Sequence, residues 1–260
     1  MALLLAATVP ASSPPTPQQY EASQIAQSGS LGLMLYTLDR AAWVTTDALL
    51  RKMPRERLTG AGGYVVELGE TMALHVTYFR GTAANARAIY GADVVDGKVV
   101  RDELLADVPL TSRQTALAQA REVALAAVAA KGEAPCTPSP FNTVVMPTSG
   151  DRPIPVYILS AQKEAKSYPM GGHHRVIVGT DGAVLSSRPF SVACLNMEVP
   201  KLPKGSRPVG LFVNHLLDPV PTEIHVFASY TLGMPLFVGT QDKRLWQVMG
   251  KQIAAVPRKE

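Results

Sequence analysis

The most regular pattern of apolar and polar positions lies between residues 31 and 49, where apolar residues recur in alternating steps of four and three. The positions on this stripe are Leu31, Leu35, Leu38, Ala42, Thr45 and Leu49. This spacing predicts one buried face of a helix, which Pro54 ends. Asp39 and Arg40 fall off the stripe, which indicates an amphipathic core helix rather than a membrane span. We interpret the nearby Trp43 as a packing residue.

Two more helices are predicted on either side of this one. A shorter helix covers Gln18–Gln27, and a break at Ser28-Gly29-Ser30 separates it from the stripe. A second long helix follows Thr111, which forms a capping box with Gln114, because each side chain satisfies a free backbone N–H of the first turn. The apolar stripe of this helix is Leu117, Ala120, Ala124 and Val128. Lys131-Gly132 is typical of a helix end.

Elsewhere the period changes to two, which is typical of strands. The predicted strands are Tyr64–Leu68, Met72–Arg80, Val94–Arg101, Phe141–Met146, Val156–Ser160, His174–Thr180, Ala183–Phe190, Val209–Asn214, Pro235–Thr240 and Arg244–Met249. Asp96-Gly97 and Asp181-Gly182 predict tight hairpin turns, and a short helix is predicted near Thr222–Leu232. The fold class is therefore α+β, with a mainly antiparallel sheet of hairpins and two long helices in the N-terminal half.

The length and composition indicate a folded chain of one large domain or two small ones. It has 260 residues, of which 47% are hydrophobic and 18% charged, enough apolar surface for a sizeable core. We divide it into a signal-like Pro/Ser segment (1–17), a helical-hairpin half (18–132), a Pro-rich crossing loop (133–155) and a β-rich half (156–260). The preferred interpretation is one integrated domain over 18–260.

The first residues favour export to the periplasm or secretion. Ala2–Val9 is apolar, and Val9-Pro10-Ala11 fits the small-x-small rule for cleavage by signal peptidase. A basic n-region and a longer apolar core are missing, so either translation begins upstream of Met1 or this segment is a disordered tail. We expect no transmembrane span, because no stretch has about 18 consecutive apolar residues.

The two cysteines of the chain fit the same compartment. An even, small number of cysteines in an exported protein predicts one disulfide, here between Cys136 and Cys194. The alternative is two separate buried thiols that behave as small hydrophobes.

Charge and motifs exclude several classes of function. The net charge of +4 is too small to indicate a nucleic-acid binder. The densest basic run, Arg51–Arg57, is better explained as a solvated helix terminus, where the helix dipole favours cations. The sequence has no Gly-x-Ser-x-Gly, His-Glu-x-x-His, Walker or Cys-x-x-Cys motif. We therefore expect no nucleic-acid partner, and the other partners stay open.

One short stretch concentrates residues that could carry chemistry. His215, Asp218, Glu223 and His225 lie within eleven positions. Imidazole nitrogens and carboxylates are the ligands of catalytic zinc sites, which leave one position open for water. The structural alternative is equally complete, because Thr222 suits a helix N-cap and Glu223 suits the first helical turn.

The order of elements over residues 209–249 resembles a degenerate JAMM (MPN) metallo-isopeptidase domain. A strand runs into His215, Pro221-Thr222-Glu223-Ile224-His225 is similar to the helix-opening motif, and residues 233–240 resemble the next strand. The resemblance implies a zinc-dependent amide or isopeptide hydrolase in which His215, His225 and Asp218 hold the metal and Glu223 is the general base.

The same region departs from the family pattern at several positions. Leu217 stands where the second histidine is expected, His225 replaces the aspartate of the helix, and the upstream glutamate has only Glu67 or Glu70 as matches. This region and Gly171-Gly172-His173-His174-Arg175 also resemble proteobacterial proteins to which no activity is attached. We therefore expect a non-enzymatic exported protein with a binding or structural role, without catalytic residues, metal or cofactor, and keep the zinc hydrolase as the alternative.

Overall fold

Three α-helices, two short 3₁₀ helices (Arg55–Leu58 and Ala83–Asn85) and fourteen strands make up the structure, a computed structural model that describes residues 14–69, 73–206 and 208–257. The α-helices are α1 (Pro17–Lys52), α2 (Ser112–Ala129) and α3 (Glu223–Leu232). The strands are β1 (Ala61–Leu68), β2 (Leu74–Arg80), β3 (Arg87–Val95), β4 (Lys98–Pro109), β5 (Asn142–Val145), β6 (Ile154–Leu159), β7 (Ser167–Pro169), β8 (His174–Val178), β9 (Val184–Pro189), β10 (Asn196–Glu198), β11 (Leu211–His215), β12 (Leu236–Thr240), β13 (Leu245–Met249) and β14 (Gln252–Ala255).

The strands form three four-stranded sheets and one small ribbon. The sheets have the orders β1-β2-β3-β4, β5-β6-β8-β9 and β11-β12-β13-β14, and β7 pairs with β10. All pairs are antiparallel except β11 with β12, which α3 connects as a parallel crossover. The α+β class with mainly antiparallel sheets and two long helices in the N-terminal half is thereby confirmed.

Helix α1 is continuous, so the predicted break at Ser28-Gly29-Ser30 is wrong. Tertiary packing explains these small residues. A Cβ at Gly29 would lie 2.6 Å from the backbone oxygen of Lys251, and a Cβ at Gly32 would lie 2.4 Å from the Cβ of Val226 on α3. Glycine here allows α1 to approach its neighbours closely, and packing overrides the low helix propensity of glycine.

The two long helices pack on opposite faces of the first two sheets. Successive strand residues point to opposite faces, so Val66 joins the core cluster under α1 while Val65 joins the cluster under α2. In β6, likewise, Tyr157 faces the α1 side and Val156 the α2 side. Residues 18–132 are therefore not a helical hairpin, because β1–β4 lies between the helices both in sequence and in space.

A third core cluster joins α3 to the last sheet. Its centre is formed by Val226 and Leu232 of α3 against Leu236, Val238 and Trp246. Ile224, at the start of the same helix, instead belongs to the core cluster under α1. Helix α3 thus lies between the last sheet and α1, and this position creates the groove described below.

Local sequence signals correctly predict the ends of several elements. Thr111 caps α2 and exchanges hydrogen bonds with Gln114 in a capping box. Asp96 and Gly97 both have positive φ, +49° and +69°, as a two-residue hairpin turn between β3 and β4 requires. Arg51 and Lys52 form the exposed last turn of α1, as expected for the basic run.

The disulfide between Cys136 and Cys194 is confirmed. Their Cα atoms are 5.3 Å apart, within the range that a disulfide spans. The bond ties the loop after α2 to the loop before β10. The cleavage-site prediction at residues 9–11 lies outside the described residues. Within the described ranges, no helix combines the length and the hydropathy that a bilayer-spanning segment requires.

Candidate functional site

The stretch from His215 to His225 links β11 to α3. His215 is the last residue of β11, Thr222 is the N-cap of α3, and Glu223 is the first helical residue. The His215 and His225 rings meet edge to face, with centroids 4.6 Å apart. The structure therefore brings the predicted residues His215, Asp218 and His225 together. They could hold a metal ion only through nitrogen and oxygen atoms that are free of other partners.

Asp218 is fully engaged by protein side chains. The guanidinium of Arg188 on β9 donates to both of its carboxylate oxygens, at 3.1 and 2.6 Å, and His215 Nε2 donates to Oδ2 at 2.9 Å. Burial acts to raise the pKa of Asp218, but the hydrogen bonds from His215 and Arg188 outweigh it and the pKa is lowered. Asp218 thus acts as a carboxylate that fastens the β11–α3 loop to β9.

His225 takes the third position of the capping box at the start of α3. Its Nδ1 accepts the backbone N–H of Thr222 at 3.0 Å. Burial, together with the neighbouring His215, lowers the pKa of His225 to about 3. The imidazole is therefore neutral at pH 7, with Nδ1 committed to the helix cap.

Glu223, the candidate general base, is 5% exposed and is held by two partners. Its Oε1 accepts from Arg175 Nη1 at 2.6 Å and from the Tyr157 hydroxyl at 2.9 Å. Both bonds go to Oε1, so the carboxylate is held in place by Arg175 and Tyr157. Glu223 thus fixes the start of α3 on β6 and β8.

The remaining candidates of the zinc site lie elsewhere. Glu67 accepts from Gln114 of α2 at 2.8 Å, and Glu70 lies outside the described residues. In residues 14–69, 73–206 and 208–257, no group of three or more His, Cys, Asp or Glu side chains is arranged to hold one metal ion. The donor set around His215 therefore does not fit zinc as it is placed.

The Gly171-to-Arg175 segment is a structural junction beside this stretch. A Cβ at Gly172 would lie 2.6 Å from Cys136 Sγ, so only glycine leaves room for the disulfide. His173 Nε2 donates to the oxygen of Pro169 at 2.9 Å, and its Nδ1 accepts from the Ser160 backbone at 3.3 Å. Burial lowers the pKa of His173 to about 4, so this ring is also neutral at pH 7.

A groove with a volume of about 570 Å³ lies between α1 and α3, next to this junction. Binding sites for small molecules in proteins have volumes of roughly 300–1,000 Å³ and are mostly apolar with a few polar groups. The groove falls in that range of volume, and aromatic side chains line it together with several polar ones. Its lining includes Tyr36, Asp39, Arg40, Trp43, Tyr64, Phe141, Asn142, Tyr168, Met170, His173, Ile224, Phe227 and Thr231.

Trp43 forms part of the rim of this groove, which corrects its interpretation as a packing residue. Its side chain is 60% exposed. The guanidinium carbon of Arg40 lies 5.6 Å from the centre of its ring, within the range of a cation–π contact. The stripe of α1 faces the sheet, so Trp43 beside that stripe lies on the open side towards α3.

Asp39 is the carboxylate of the groove. Its Oδ1 accepts from Asn142 Nδ2 at 2.6 Å, and no other hydrogen bond or ion pair reaches it among the described residues. Burial raises the pKa of Asp39 to about 6, while the bond from Asn142 and the charge of Arg40 act to lower it. Asp39 is therefore mostly ionised at pH 7, with Oδ2 available to a ligand.

A second cavity, of about 650 Å³, lies between residues 80–87 and residues 109–115. Its lining consists of glycines, alanines, Arg80, Asn85, Arg87, Pro109, Leu110 and Thr115. It holds no aromatic side chain and only one large aliphatic side chain, so it offers little apolar surface to a ligand. The groove between α1 and α3 is the better candidate site.

Comparisons of the chain with models of protein families, with curated proteins and with solved structures give no match. The resemblance to JAMM domains therefore depends only on the residues quoted for it.

Proposed function

We propose that this chain is an exported binding protein that holds a small, largely apolar ligand in the groove between α1 and α3, without catalysing a reaction. The observation that carries the proposal is the groove itself, with aromatic walls and one carboxylate, Asp39, that forms no ion pair among the described residues. Aromatic side chains supply large apolar contact area, and a single polar group gives orientation to a ligand.

Export is supported by the disulfide between Cys136 and Cys194. Disulfides persist in oxidising compartments and are rare in the cytosol of most organisms. This one ties the loop that precedes Phe141 to the loop whose Leu195 accepts the backbone N–H of Met170, and Phe141 and Met170 both line the groove. An oxidising compartment would therefore also favour a fixed shape of the binding site.

The alternative, a zinc-dependent amide or isopeptide hydrolase, is less well supported. Zinc catalysis needs three protein ligands with free lone pairs, whereas both oxygens of Asp218 are bound by Arg188 and His225 Nδ1 caps α3. The proposed base, Glu223, is hydrogen-bonded to Arg175 and Tyr157. The absence of a metal from the working protein is a prediction, and its test is given in the Discussion.

The test uses Nile red, a neutral and apolar fluorophore whose emission reports the polarity around it. We expect saturable binding of one molecule per chain. Thr231→Trp places a large side chain in the groove at the last turn of α3, and we expect it to weaken binding at least tenfold. Trp43→Ala, which removes part of the rim, should weaken binding about fivefold.

Tyr20→Ala is the matched control, because Tyr20 is also an exposed aromatic residue of α1 but does not line the groove. This variant should bind Nile red as the unmodified chain does. The proposal is wrong if Nile red does not bind, or if Thr231→Trp binds it as tightly as the unmodified chain.

A further inference from the structure

We propose that the ligand of the groove carries a primary ammonium group on an apolar body, and that Asp39 binds this ammonium while the aromatic walls hold the body. The inference rests on the proposed function, because it names the class of ligand for the same groove. It follows from the position of Asp39, its hydrogen bonds and the charges around it.

Asp39 is oriented for a ligand. Asn142, on β5, donates from Nδ2 to Oδ1 at 2.6 Å and so fixes the plane of the carboxylate. Oδ2 has no hydrogen-bond partner among the described residues. An ammonium group offers three donors, of which one satisfies Oδ2 and the others can meet hydroxyls or water.

Among the described residues, no cation forms an ion pair with this carboxylate, although the charge of Arg40 acts on it from a distance. Arg40, the next residue on α1, places its guanidinium over Trp43, and no ion pair within 4.0 Å joins it to Asp39 in the described chain. Arg121 of α2, whose charge acts on the neighbouring Tyr64, uses Nε for Thr143 and Nη1 for the oxygen of Gly62. A cationic ligand would supply the missing partner.

Two other titratable groups of the groove, His173 and Tyr64, are neutral at pH 7. His173 has a pKa lowered to about 4 by burial and uses both nitrogens in hydrogen bonds to backbone atoms. The Tyr64 hydroxyl donates to the oxygen of Thr143 at 2.8 Å, and burial raises its pKa. An anionic ligand would therefore be repelled by Asp39, and of the residues that line the groove only Arg40 would attract it.

The aromatic walls suit an ammonium group as well as an apolar body. A cation within about 6 Å of the face of a Trp, Tyr or Phe ring is attracted by the ring quadrupole. Tyr36 and Tyr64 line the groove together with Asp39. The contact between the Arg40 guanidinium and the Trp43 ring is one such cation–π interaction in this groove.

The experiment compares three dansyl probes that share one fluorophore and differ at the end of a five-carbon chain. N-dansylcadaverine ends in an ammonium, N-dansylpentylamine ends in a methyl, and N-dansyl-6-aminohexanoate ends in a carboxylate. At pH 8 we expect the ammonium probe to bind at least tenfold more tightly than the neutral probe, and the carboxylate probe to bind most weakly.

Asp39→Asn keeps an oxygen for Asn142 and removes the charge, so we expect it to reduce the preference for ammonium to less than twofold. Asp47→Asn removes one negative charge from an exposed site of α1 outside the groove and should keep the preference. For the unmodified chain, the preference should decline between pH 7 and pH 5 as Asp39 gains a proton. This titration tests the inference without any substitution.

The outcomes separate the two proposals. Equal binding of the ammonium and neutral probes, or tighter binding of the carboxylate probe, overturns the role of Asp39 but leaves the groove as a binding site. Binding of all three probes that Thr231→Trp does not weaken overturns the proposed function itself. A preference for ammonium that Asp39→Asn and Asp47→Asn diminish equally overturns the local role of Asp39, because it would report only the net charge.

Discussion

Gly32 of α1 lies directly against Val226 of α3, so close that a Cβ on the glycine would stand 2.4 Å from the Cβ of the valine. This contact sets the spacing of the two helices that form the groove. Gly32→Ala raises helix propensity by up to about 1 kcal/mol, but overpacking should cost more. We expect a net loss of about 1 to 3 kcal/mol in the free energy of unfolding.

Chemical denaturation of Gly32→Ala and Ser30→Ala tests this expectation. Ser30 is exposed on the same turn of α1, so Ser30→Ala has only the propensity effect and should be neutral or slightly stabilising. An unchanged or raised midpoint for Gly32→Ala would show that α3 can move away without cost.

Loss of the disulfide should weaken the whole fold. The bond closes a loop with a sequence separation of 58 residues, and restriction of the unfolded chain is worth about 2 to 4 kcal/mol for such loops. We expect a loss of this size for the double variant Cys136→Ser/Cys194→Ser, measured by denaturation. Trapping of thiols with an alkylating agent in intact cells should find both cysteines oxidised, and free thiols there would contradict export.

Removal of metal should leave the protein unchanged. Because the donor atoms around His215 are committed to Arg188 and Thr222, a chelator should not shift the melting temperature. His215→Ala should cost more than its one hydrogen bond, about 1 kcal/mol, because loss of the buried ring also leaves a cavity, but Arg188 still holds Asp218. Stoichiometric zinc in the purified protein, together with a chelator-induced drop in stability, would support the hydrolase instead.

The carboxylate of Asp39 should be destabilising at neutral pH. Its pKa is raised from 3.8 to about 6 on folding, so the folded state binds the proton more tightly than the unfolded state does. The contribution of the Asp39 carboxyl to the free energy of unfolding is largest below about pH 4 and is lost as the pH rises through 6. Asp39→Asn should therefore be more stable than the unmodified chain at pH 8, by of order 3 kcal/mol.

The pH dependence of that difference is its control. The stabilisation by Asp39→Asn should shrink to a small fraction of its size at pH 4, where the folded-state carboxyl is protonated and the unfolded-state carboxyl, with a pKa of 3.8, is about half protonated. A stabilisation of equal size at pH 4 and pH 8 would mean that the carboxylate has an ordinary pKa, and that the substitution acts through packing.

His225 should make the fold sensitive to acid. Its folded pKa is about 3, below the 6.5 of the unfolded chain, so the unfolded state binds more protons between these values. Stability from His225 is present above pH 6.5 and is lost as the pH falls. Glutamine is a common third residue of capping boxes, so His225→Gln should keep the cap and flatten the decline between pH 7 and pH 5.

Asp39 contributes a pH dependence of the opposite sign, because its pKa is raised in the folded state, so the effects of the two residues on stability can be distinguished. His173, which also has a lowered pKa, remains in His225→Gln and should retain part of the acid sensitivity. Denaturation curves at pH 7, 6 and 5 for both chains measure the difference. An equally steep decline in the variant would show that His225 does not titrate in this range.

The sequence predicts features that depend on neighbours along the chain. The capping box of Thr111 and Gln114 and the turn at Asp96-Gly97 follow from hydrogen bonds and backbone angles within a few residues, and both are found as expected. The predicted break at Ser28-Gly29-Ser30 was wrong. The small residues in this part of α1 allow close contacts with α3 and residue 251, which lie about 200 positions away in the sequence.

The groove could not be predicted for the same reason. Asp39 and Trp43 come from α1, Asn142 from β5 and Phe227 from α3, and no spacing in the sequence relates these four positions. The sequence shows only that a carboxylate, Asp39, and a large aromatic residue, Trp43, lie off the apolar stripe of α1. Periodicity alone assigns such residues to solvent, because it does not show which other element covers that side of the helix.

The two walls of the groove come from residues 36–46 and 224–231, near opposite ends of the chain. Folding must bring both walls together before a ligand can bind, so binding and global unfolding are thermodynamically linked. A ligand at a hundred times its dissociation constant stabilises the native state by about 2.7 kcal/mol. For a chain of this length that corresponds to a rise of about 5 to 10 °C in melting temperature. A thermal-shift screen of primary amines could therefore find the natural ligand without any assay of activity.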